Sequence, residues 1–502
     1  MSVAAETDAW AGPPGTIDRI ETHTAVVYLT ADKAYKIRKP VRFAFVDYTD
    51  PEARRAAAQA EVDLNRDLAP GVYLGVRPLV EDGGRIALGG SATVPSRRAV
   101  DHVVEMRRFA EGDTLAARLA AGRIDGPMLD RVGRRLAAFH RDAAVAPGGG
   151  AADALARVDR NLEELLALRL GAHHAEVLAA VTDGLPAAVG RYAAELESRA
   201  ARGRWRDGHG DLRADHVVIE AAGLLVVDRL EFDAALRIDD VASDLAFLLM
   251  DLEARGERAA ATAVLTAYRA ADGDAGSDGL LACWAAYRAT VVAKTAWLGA
   301  RAGRRDPGRV ARRLALARRL LWRARRAQVL VICGPPATGK STLAAALAGA
   351  AGGVHLSSDV VRRERFGVAG DRRAPGEAYT FAAKTEVYVE LGRRAAAVAH
   401  RGEIAVVDAT MHELAERAAF RRGLGHLATA WITCTAPPLV VAGWARDRLR
   451  DPARTSDADP DLARTLAAAW TPPDEIPAAD VLGLRTDRPV AGVVQLVERW
   501  LA

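Results

Sequence analysis

Two stretches of the 502-residue chain carry side chains whose types and spacing suit phosphoryl chemistry. The first is Gly334-Pro335-Pro336-Ala337-Thr338-Gly339-Lys340-Ser341-Thr342, which fits G-x-x-x-x-G-K-[ST]. Backbone N–H groups of such a Gly-rich loop, with the helix N-terminus that follows, form a cradle for an anion. Lys340 would reach the β- and γ-phosphates of a nucleotide, and the Ser341 hydroxyl would hold Mg²⁺. The second stretch is Gly208-His209-Gly210-Asp211-Leu212-Arg213-Ala214-Asp215-His216, with Asp228 following 17 residues after Asp211. Of two carboxylates held side by side, one can accept a hydroxyl proton while the other holds a metal.

The flanking sequence says how each stretch is held. Val329–Cys333 is a short apolar run that predicts a buried strand, and Leu343–Ala350 is an Ala/Leu-rich helix. Strands ending in Asp359 and Asp408 follow, then strands at Ala428–Thr435 and Val481–Arg485, with helices between them. That alternation predicts a parallel sheet with helices on both faces and ligands at the carboxyl ends of the strands. Around the second stretch, His216–Glu220 and Leu224–Asp228 flank a turn at Ala221-Ala222-Gly223. The resulting hairpin would bring Asp228 back beside Asp211. Upstream, strands at Thr24–Leu29 and Lys33–Pro40 precede a helix, Pro51–Leu68, with Glu61 in its middle. Strands at 72–80, 85–88 and 100–109 complete a small sheet, and residues 113–302 read as helical except for 205–240. The expected fold class is therefore two-domain: α+β in the N-terminal part and α/β with a parallel sheet in the C-terminal part.

Composition bounds the rest. A net charge of +4 is too small to imply a nucleic-acid partner. Of 69 basic residues only six are lysine, so Lys340 and the cluster Lys33/Lys36/Lys39 stand out against an arginine-rich background. Lys36 and Lys33 are three apart and face opposite sides of a strand. The three cysteines are odd in number and far apart, and read as free thiols in a reducing cytoplasm. No apolar run of 18 residues and no secretory leader is seen, so neither a membrane span nor export is expected. Residues 301–326 carry eleven arginines against one aspartate and predict a linker helix with a solvated basic face, with a nucleic-acid arm or a domain-docking surface as the alternatives.

His209–His216 resembles the catalytic loop of the aminoglycoside phosphotransferase group, whose fold is protein-kinase-like and bilobal. The resemblance covers residues 16–302, with an N-lobe at 16–108 and a helical lobe at 109–302. It implies that Asp211 accepts the acceptor's proton, that Asp228 binds Mg²⁺, and that Lys36 meets the nucleotide phosphates and pairs with Glu61. Glu105 to Arg107 would form the hinge that meets the base, and Asp240 or Asp244 would anchor the loop. His209, Arg213, Glu231 and Asp233 are expected around the acceptor, with Arg213 a candidate phosphate contact. Three departures stand out. Arg213 stands where the family has a histidine two after the aspartate. His216 occupies the position of a metal-binding asparagine, so it, a water, Glu231 or Asp233 must complete that site. Glu21-Thr22-His23-Thr24 stands where a Gly-rich loop would be.

Residues 328–502 resemble small P-loop kinases of the gluconate-kinase and zeta-toxin kind. In these the nucleotide sits on Gly334, Pro335, Ala337, Thr338, Gly339, Lys340, Ser341 and Thr342. Asp359 would position or deprotonate the accepting hydroxyl, Arg362 would hold a substrate anion, and Asp408 would act on Mg²⁺ through water. Arg446 and Arg450 would belong to an arginine-rich lid over the transferring phosphoryl group. Together the resemblances imply an ATP-dependent phosphotransferase, with GTP the alternative nucleotide and Mg²⁺ the cation. The acceptor would be a hydroxyl of an aminosugar, sugar or aminoglycoside-like molecule, with a second kinase domain behind the linker at 303–327. The competing expectation is that one half is catalytic and the other a regulatory nucleotide-binding module.

Overall fold

The computed structural model describes residues 10, 12–22, 24–43, 46–82, 85–89, 99–301, 306–368, 374–448 and 460–502. The chain forms two compact units. One comprises Met1–Ala154 and Ala193–Ser277, the other Leu155–Tyr192 and Asp278–Ala502.

In the first unit, six strands among the described residues form an antiparallel sheet. Its order is Asp18–Glu21, Ala25–Leu29, Lys33–Arg38, Ala99–Arg107, Tyr73–Asp82, Arg85–Leu88. Strand alternation sends Lys33, Tyr35 and Ile37 to one face, and Ala34, Lys36 and Arg38 to the other. The first face packs Tyr35 and Ile37 with Trp10, Tyr28, Leu79 and Val103. The second packs Val104 against Ala58 and Val62 of the helix Pro51–Asn65 and against Val218 and Leu225 of a hairpin. That hairpin pairs Val217 with Val226 and Glu220 with Gly223, as expected from the two apolar runs. Asp50 caps the helix by accepting from the Ala53 N–H, and Pro51 supplies a pre-set first turn. The helix ends at Asn65, three residues before Leu68, and there the Asn65 amide donates back to the Glu61 carbonyl at 2.8 Å. The short strands Trp205–Asp207 and Ile238–Asp240 pair antiparallel and frame the His209–His216 loop and the hairpin between them.

In the second unit, five strands among the described residues form a parallel sheet. Their order is Val354–Ser357, Ala405–Asp408, Val329–Cys333, Thr429–Thr435, Val481–Arg485. Every residue of the central strand is buried. Val329, Val331 and Cys333 face one apolar core, while Leu330 and Ile332 face the other. All three cysteines are free and buried. Among the described residues no helix is long and apolar enough to cross a membrane.

The arginine-rich segment departs from expectation. Pro307–Arg323 is a helix, but it is no solvated linker. Val310 and Leu314 are buried with Leu165, Leu170 and Ala293, and Trp322 lies in the core beneath the parallel sheet. Arg318 is buried as well: its guanidinium donates to both Glu498 oxygens at 2.8 and 3.0 Å, and Trp322 Nε1 donates to the same carboxylate at 3.1 Å. Counting arginines missed this because the leucines between them recur at helical spacing and form a stripe that has to be covered. The helix therefore packs as part of the second unit, and the compact units do not divide at residues 302 and 328. Trp322→Ala should lower the unfolding free energy of the second unit by about 3–5 kcal/mol, read as a shifted urea midpoint. An unchanged midpoint would show that the helix is peripheral.

Candidate active sites

The loop of the first unit is shaped by groups that the fold buries. Gly210 sits at φ 84°, and a Cβ there would stand 2.8 Å from Arg237 Cβ, so glycine is required. Of the two candidate anchors, Asp244 holds the loop: it accepts from the N–H groups of His209 and Gly210 at 2.7 and 3.0 Å. Asp244 is itself held by His140 Nε2 at 3.1 Å. Asp240 instead binds Arg199 through two hydrogen bonds of 2.8 and 2.7 Å. Asp251 secures the loop further on, accepting from Ala214 N–H at 3.2 Å.

His209 is completely buried. Its Nδ1 accepts from the Asp211 N–H at 3.3 Å, and its Nε2–H donates to the Val227 carbonyl at 3.0 Å. It therefore braces the loop, and is not placed to touch an acceptor. Burial pushes its imidazolium down from 6.5 to about 4. A histidine kept neutral in the fold contributes stability that is complete above its unfolded value and is lost as pH falls toward 4. Wild type should thus lose up to about 3 kcal/mol from this group between pH 6.5 and 4. His209→Gln should flatten that part of the stability profile, measured by denaturant midpoints across the same range. An unaltered slope would refute the assignment.

Three elements distant in sequence meet at Lys36. Its Nζ donates to Glu61 Oε1 at 2.9 Å and to Asp228 Oδ1 at 3.3 Å. Burial works to lower the ammonium, but Asp228 and Glu61 more than reverse it and lift it well above the ordinary lysine value. The Lys36 charge in turn holds the Asp228 carboxyl well below the usual range. Asp228 has φ 62°, a left-handed backbone that non-glycine residues seldom adopt, and its N–H donates to Tyr73 Oη at 3.0 Å. Such a conformation is characteristic of residues under functional constraint.

Asp211 and Asp228 are linked through His216. His216 Nδ1 lies 2.8 Å from the Asp211 carbonyl oxygen, and Nε2 lies 3.6 Å from Asp228 Oδ2. Arg213 grips both carboxylate oxygens of Asp211, Nε to Oδ1 and Nη2 to Oδ2, each at 2.8 Å.

Four of the expected positions serve otherwise. Glu231 accepts from buried Arg38 at 2.6 Å, and Arg38 also donates to Glu61 at 2.6 Å. Asp233 caps the short helix Ala234–Arg237. Glu105 lies on the sheet face away from Lys36, bound to Lys33 at 2.7 Å and to Tyr35 at 3.2 Å. Arg107 pairs with Glu220 at 2.9 Å. The Glu105 and Arg107 side chains are thus both engaged within the protein.

In the second unit the phosphate loop has its expected form. Gly334 sits at φ 137°, and a Cβ there would lie 2.5 Å from the Cys434 carbonyl oxygen. Lys340 opens the helix Lys340–Ala351 and donates from Nζ to the Pro335 carbonyl at 2.7 Å; Thr338 Oγ1 donates to the same oxygen at 2.8 Å. Asp408 ends its strand beside Ser341 and His355, with His355 Nε2 at 3.6 Å. Burial raises its carboxyl, but the neighbouring His355 and Ser341 and the charge of Lys340 bring it below the ordinary value. Asp359 sits in the first turn of the helix Ser358–Arg365, just past the strand end. It accepts from buried Arg362 at 2.5 Å, and the Arg362 guanidinium lies 4.9 Å from the Tyr379 ring centre. Arg446 is exposed and donates back to the Ala442 carbonyl of its own helix at 3.2 Å, and Arg450 lies outside the described residues. A cavity of about 320 Å³ adjoins the loop, lined by Gly339, Thr342, Trp444, Thr486 and Arg488. Among the described residues no three His, Cys, Asp or Glu side chains are grouped to hold a metal on their own.

A family model described as AAA domain matches residues 329–473. The uncharacterized protein Rv2004c of Mycobacterium tuberculosis strain H37Rv is 32% identical over 464 residues, which is 90% of each chain. The chain belongs to the family of that mycobacterial protein. Within this family member, the AAA match falls inside the second unit and includes the phosphate loop, Asp359 and Asp408. Among solved structures, a gluconokinase from Sinorhizobium meliloti 1021 is 18% identical, covering 35% of this chain and 93% of its own, with a TM-score of 0.27. An aminoglycoside phosphotransferase from Alicyclobacillus acidocaldarius is 12% identical, covering 64% and 93%, with a TM-score of 0.34.

Three residues of these sites escape a reading of the sequence. Arg38 had a signal: it lies two positions after Lys36 and so on the same strand face. His355 had a weaker one, as a polar residue inside a strand of the parallel sheet. Trp444 had none, because only folding brings its helix to Gly339.

Proposed function

We propose that this family member is a two-site phosphotransferase that moves the γ-phosphoryl group of ATP to hydroxyls of small polar molecules. The observation that carries the reading for the first unit is the single lysine, Lys36, bonded to both Glu61 and Asp228. A fixed ammonium between two carboxylates is the arrangement that orients triphosphate oxygens in kinases. Asp211 would take the acceptor's hydroxyl proton as the oxygen–phosphorus bond forms and the bond to the β-phosphate oxygen breaks. Asp228, with His216 beside it, would hold the cation that neutralises the phosphates.

For the second unit, Lys340 and the loop N–H groups would bind the β- and γ-phosphates, and Ser341 with Asp408 would hold Mg²⁺. Asp359 would orient the acceptor hydroxyl. Arg362, buried and paired with it, would favour an acceptor bearing a negative group. The cavity beside Trp444 offers an aromatic face for the nucleobase. Sugars and aminosugars are the acceptors we favour, because they offer hydroxyls among polar groups that such carboxylates and arginines can bind. An ATP-consumption screen over sugars, aminosugars, aminoglycosides and nucleosides tests the proposal, run on wild type, Asp211→Asn and Lys340→Ala. No acceptor-dependent turnover sensitive to either change would defeat it.

One observation favours a second reading, in which the first unit binds nucleotide without transferring from it. Arg213 binds both oxygens of Asp211, and a guanidinium held there stabilises the carboxylate and lowers its basicity toward a hydroxyl proton. Arg213→Ala separates the readings. Under the two-site reading turnover changes in the first unit, whereas under the second reading nucleotide still binds there and no acceptor is consumed.

A further inference from the structure

We infer that Arg38 is a positioning residue for nucleotide binding in the first unit: by holding Glu231, it keeps that carboxylate from capturing the Lys36 ammonium. The inference rests on the phosphoryl-transfer reading of that unit and extends it to a residue outside the loop and the hairpin.

The strand comes first. Lys36 and Arg38 are two positions apart in Lys33–Arg38, so they share a face and their Cα atoms lie about 7 Å apart. Glu61 bridges them from the helix packed on that face. Its Oε1 accepts from Lys36 at 2.9 Å and its Oε2 from Arg38 Nη2 at 2.6 Å.

Glu231 comes second. It follows Asp228 by three residues, and the backbone between them is pinned in succession. The Asp228 N–H donates to Tyr73 Oη at 3.0 Å, the Arg229 N–H to Asn65 Oδ1 at 2.9 Å and the Leu230 N–H to the His209 carbonyl at 3.1 Å. Glu231 is thereby carried to the strand face, where Arg38 Nη2 donates to its Oε1 at 2.6 Å. The Arg38 side chain is 2% exposed and that of Glu231 10%, so water solvates neither charge well.

The balance of charge decides the role. Lys36 and Arg38 are the cations of a network that holds three carboxylates, Glu61, Asp228 and Glu231. An ammonium has three N–H donors, and Glu61 and Asp228 engage two of those of Lys36. The third is the one a phosphate oxygen would take. Glu231 acts on the Lys36 charge even while Arg38 holds it. With Arg38 removed, Glu231 would be a buried carboxylate without its cation, and Lys36 is the other cation on that strand face. A carboxylate so placed is stabilised by closing on the ammonium, which withdraws the third donor from the nucleotide.

The test uses full-length Lys340→Ala protein and the non-hydrolysable imido analogue of ATP, titrated by calorimetry. The signal assigned to the first unit is the part that a further Lys36→Met change removes. Arg38→Met in this parent should weaken that binding by about tenfold or more, the worth of one charged hydrogen bond. Arg38→Met/Glu231→Gln should recover it to within about threefold, because the competing carboxylate leaves with the arginine. Loss of packing alone would give no such recovery. Parent-like affinity in Arg38→Met overturns the inference, and so does a double variant that binds no more tightly than the single one. Should Arg38→Met fail to fold, the double variant decides: binding close to the parent supports the inference, and weaker binding or failure to fold overturns it. A parent without Lys36-dependent binding removes the kinase reading of the first unit together with this inference, whereas binding without the expected pattern removes the inference alone.

Discussion

Lys340→Ala should cut turnover at the phosphate loop by on the order of 10²–10³-fold, equivalent to about 3–4 kcal/mol of lost transition-state stabilisation. The ammonium is buried at the start of its helix and donates to the Pro335 carbonyl. An anion entering the cradle would meet a charge already in place. Alanine removes that charge and keeps the helix, because alanine is the best helix former. The fold should therefore survive, which circular dichroism would confirm. The measurement is acceptor-dependent ADP release in an Asp211→Asn background, where residual turnover comes from the second unit alone. Turnover within threefold of the parent would show that the loop binds no reacting phosphate.

Asp211→Asn should lower transfer in the first unit by roughly 10²–10⁴-fold in kcat, with little change in the nucleotide KM. An amide of the same shape can still accept one hydrogen bond from Arg213, so the loop keeps its geometry. It cannot take a proton from a hydroxyl. In the proposed site the nucleotide would be met by Lys36, held by Glu61 and Asp228, and the change touches none of these three. Lys340→Ala supplies the clean background here. A large rise in nucleotide KM with kcat preserved would mean that Asp211 acts in binding, and the base assignment would fall.

Much of both sites was legible because local rules operate there. The phosphate loop is contiguous, and its glycines are demanded by backbone angles, at Gly334 by the approach of Cys434. The hairpin is legible because two apolar runs flank a short turn, two residues long in the structure, and closing it places Asp228 near Asp211. Strand alternation separates Lys36 from Lys33, and the structure gives them different partners, Glu61 and Glu105. Local rules could not show where Glu231, Asp233 and Glu105 would point. Each is acidic and sits near a site in sequence, yet a buried arginine, a helix end and a lysine on the far sheet face claim them.

The sequence by itself determined the two phosphate-directed stretches, the parallel sheet and the residues that bear charge at each site. These depend on spacing along the chain and on backbone preferences that act over a few residues. Only the tertiary structure decided that Arg213 caps Asp211, that Asp244 and not Asp240 anchors the loop, and that the arginine-rich helix is buried beside Glu498. An ion pair forms wherever burial brings opposite charges together and removes competing water. Burial is set by residues tens to hundreds of positions away, which no count of charges along the chain can register.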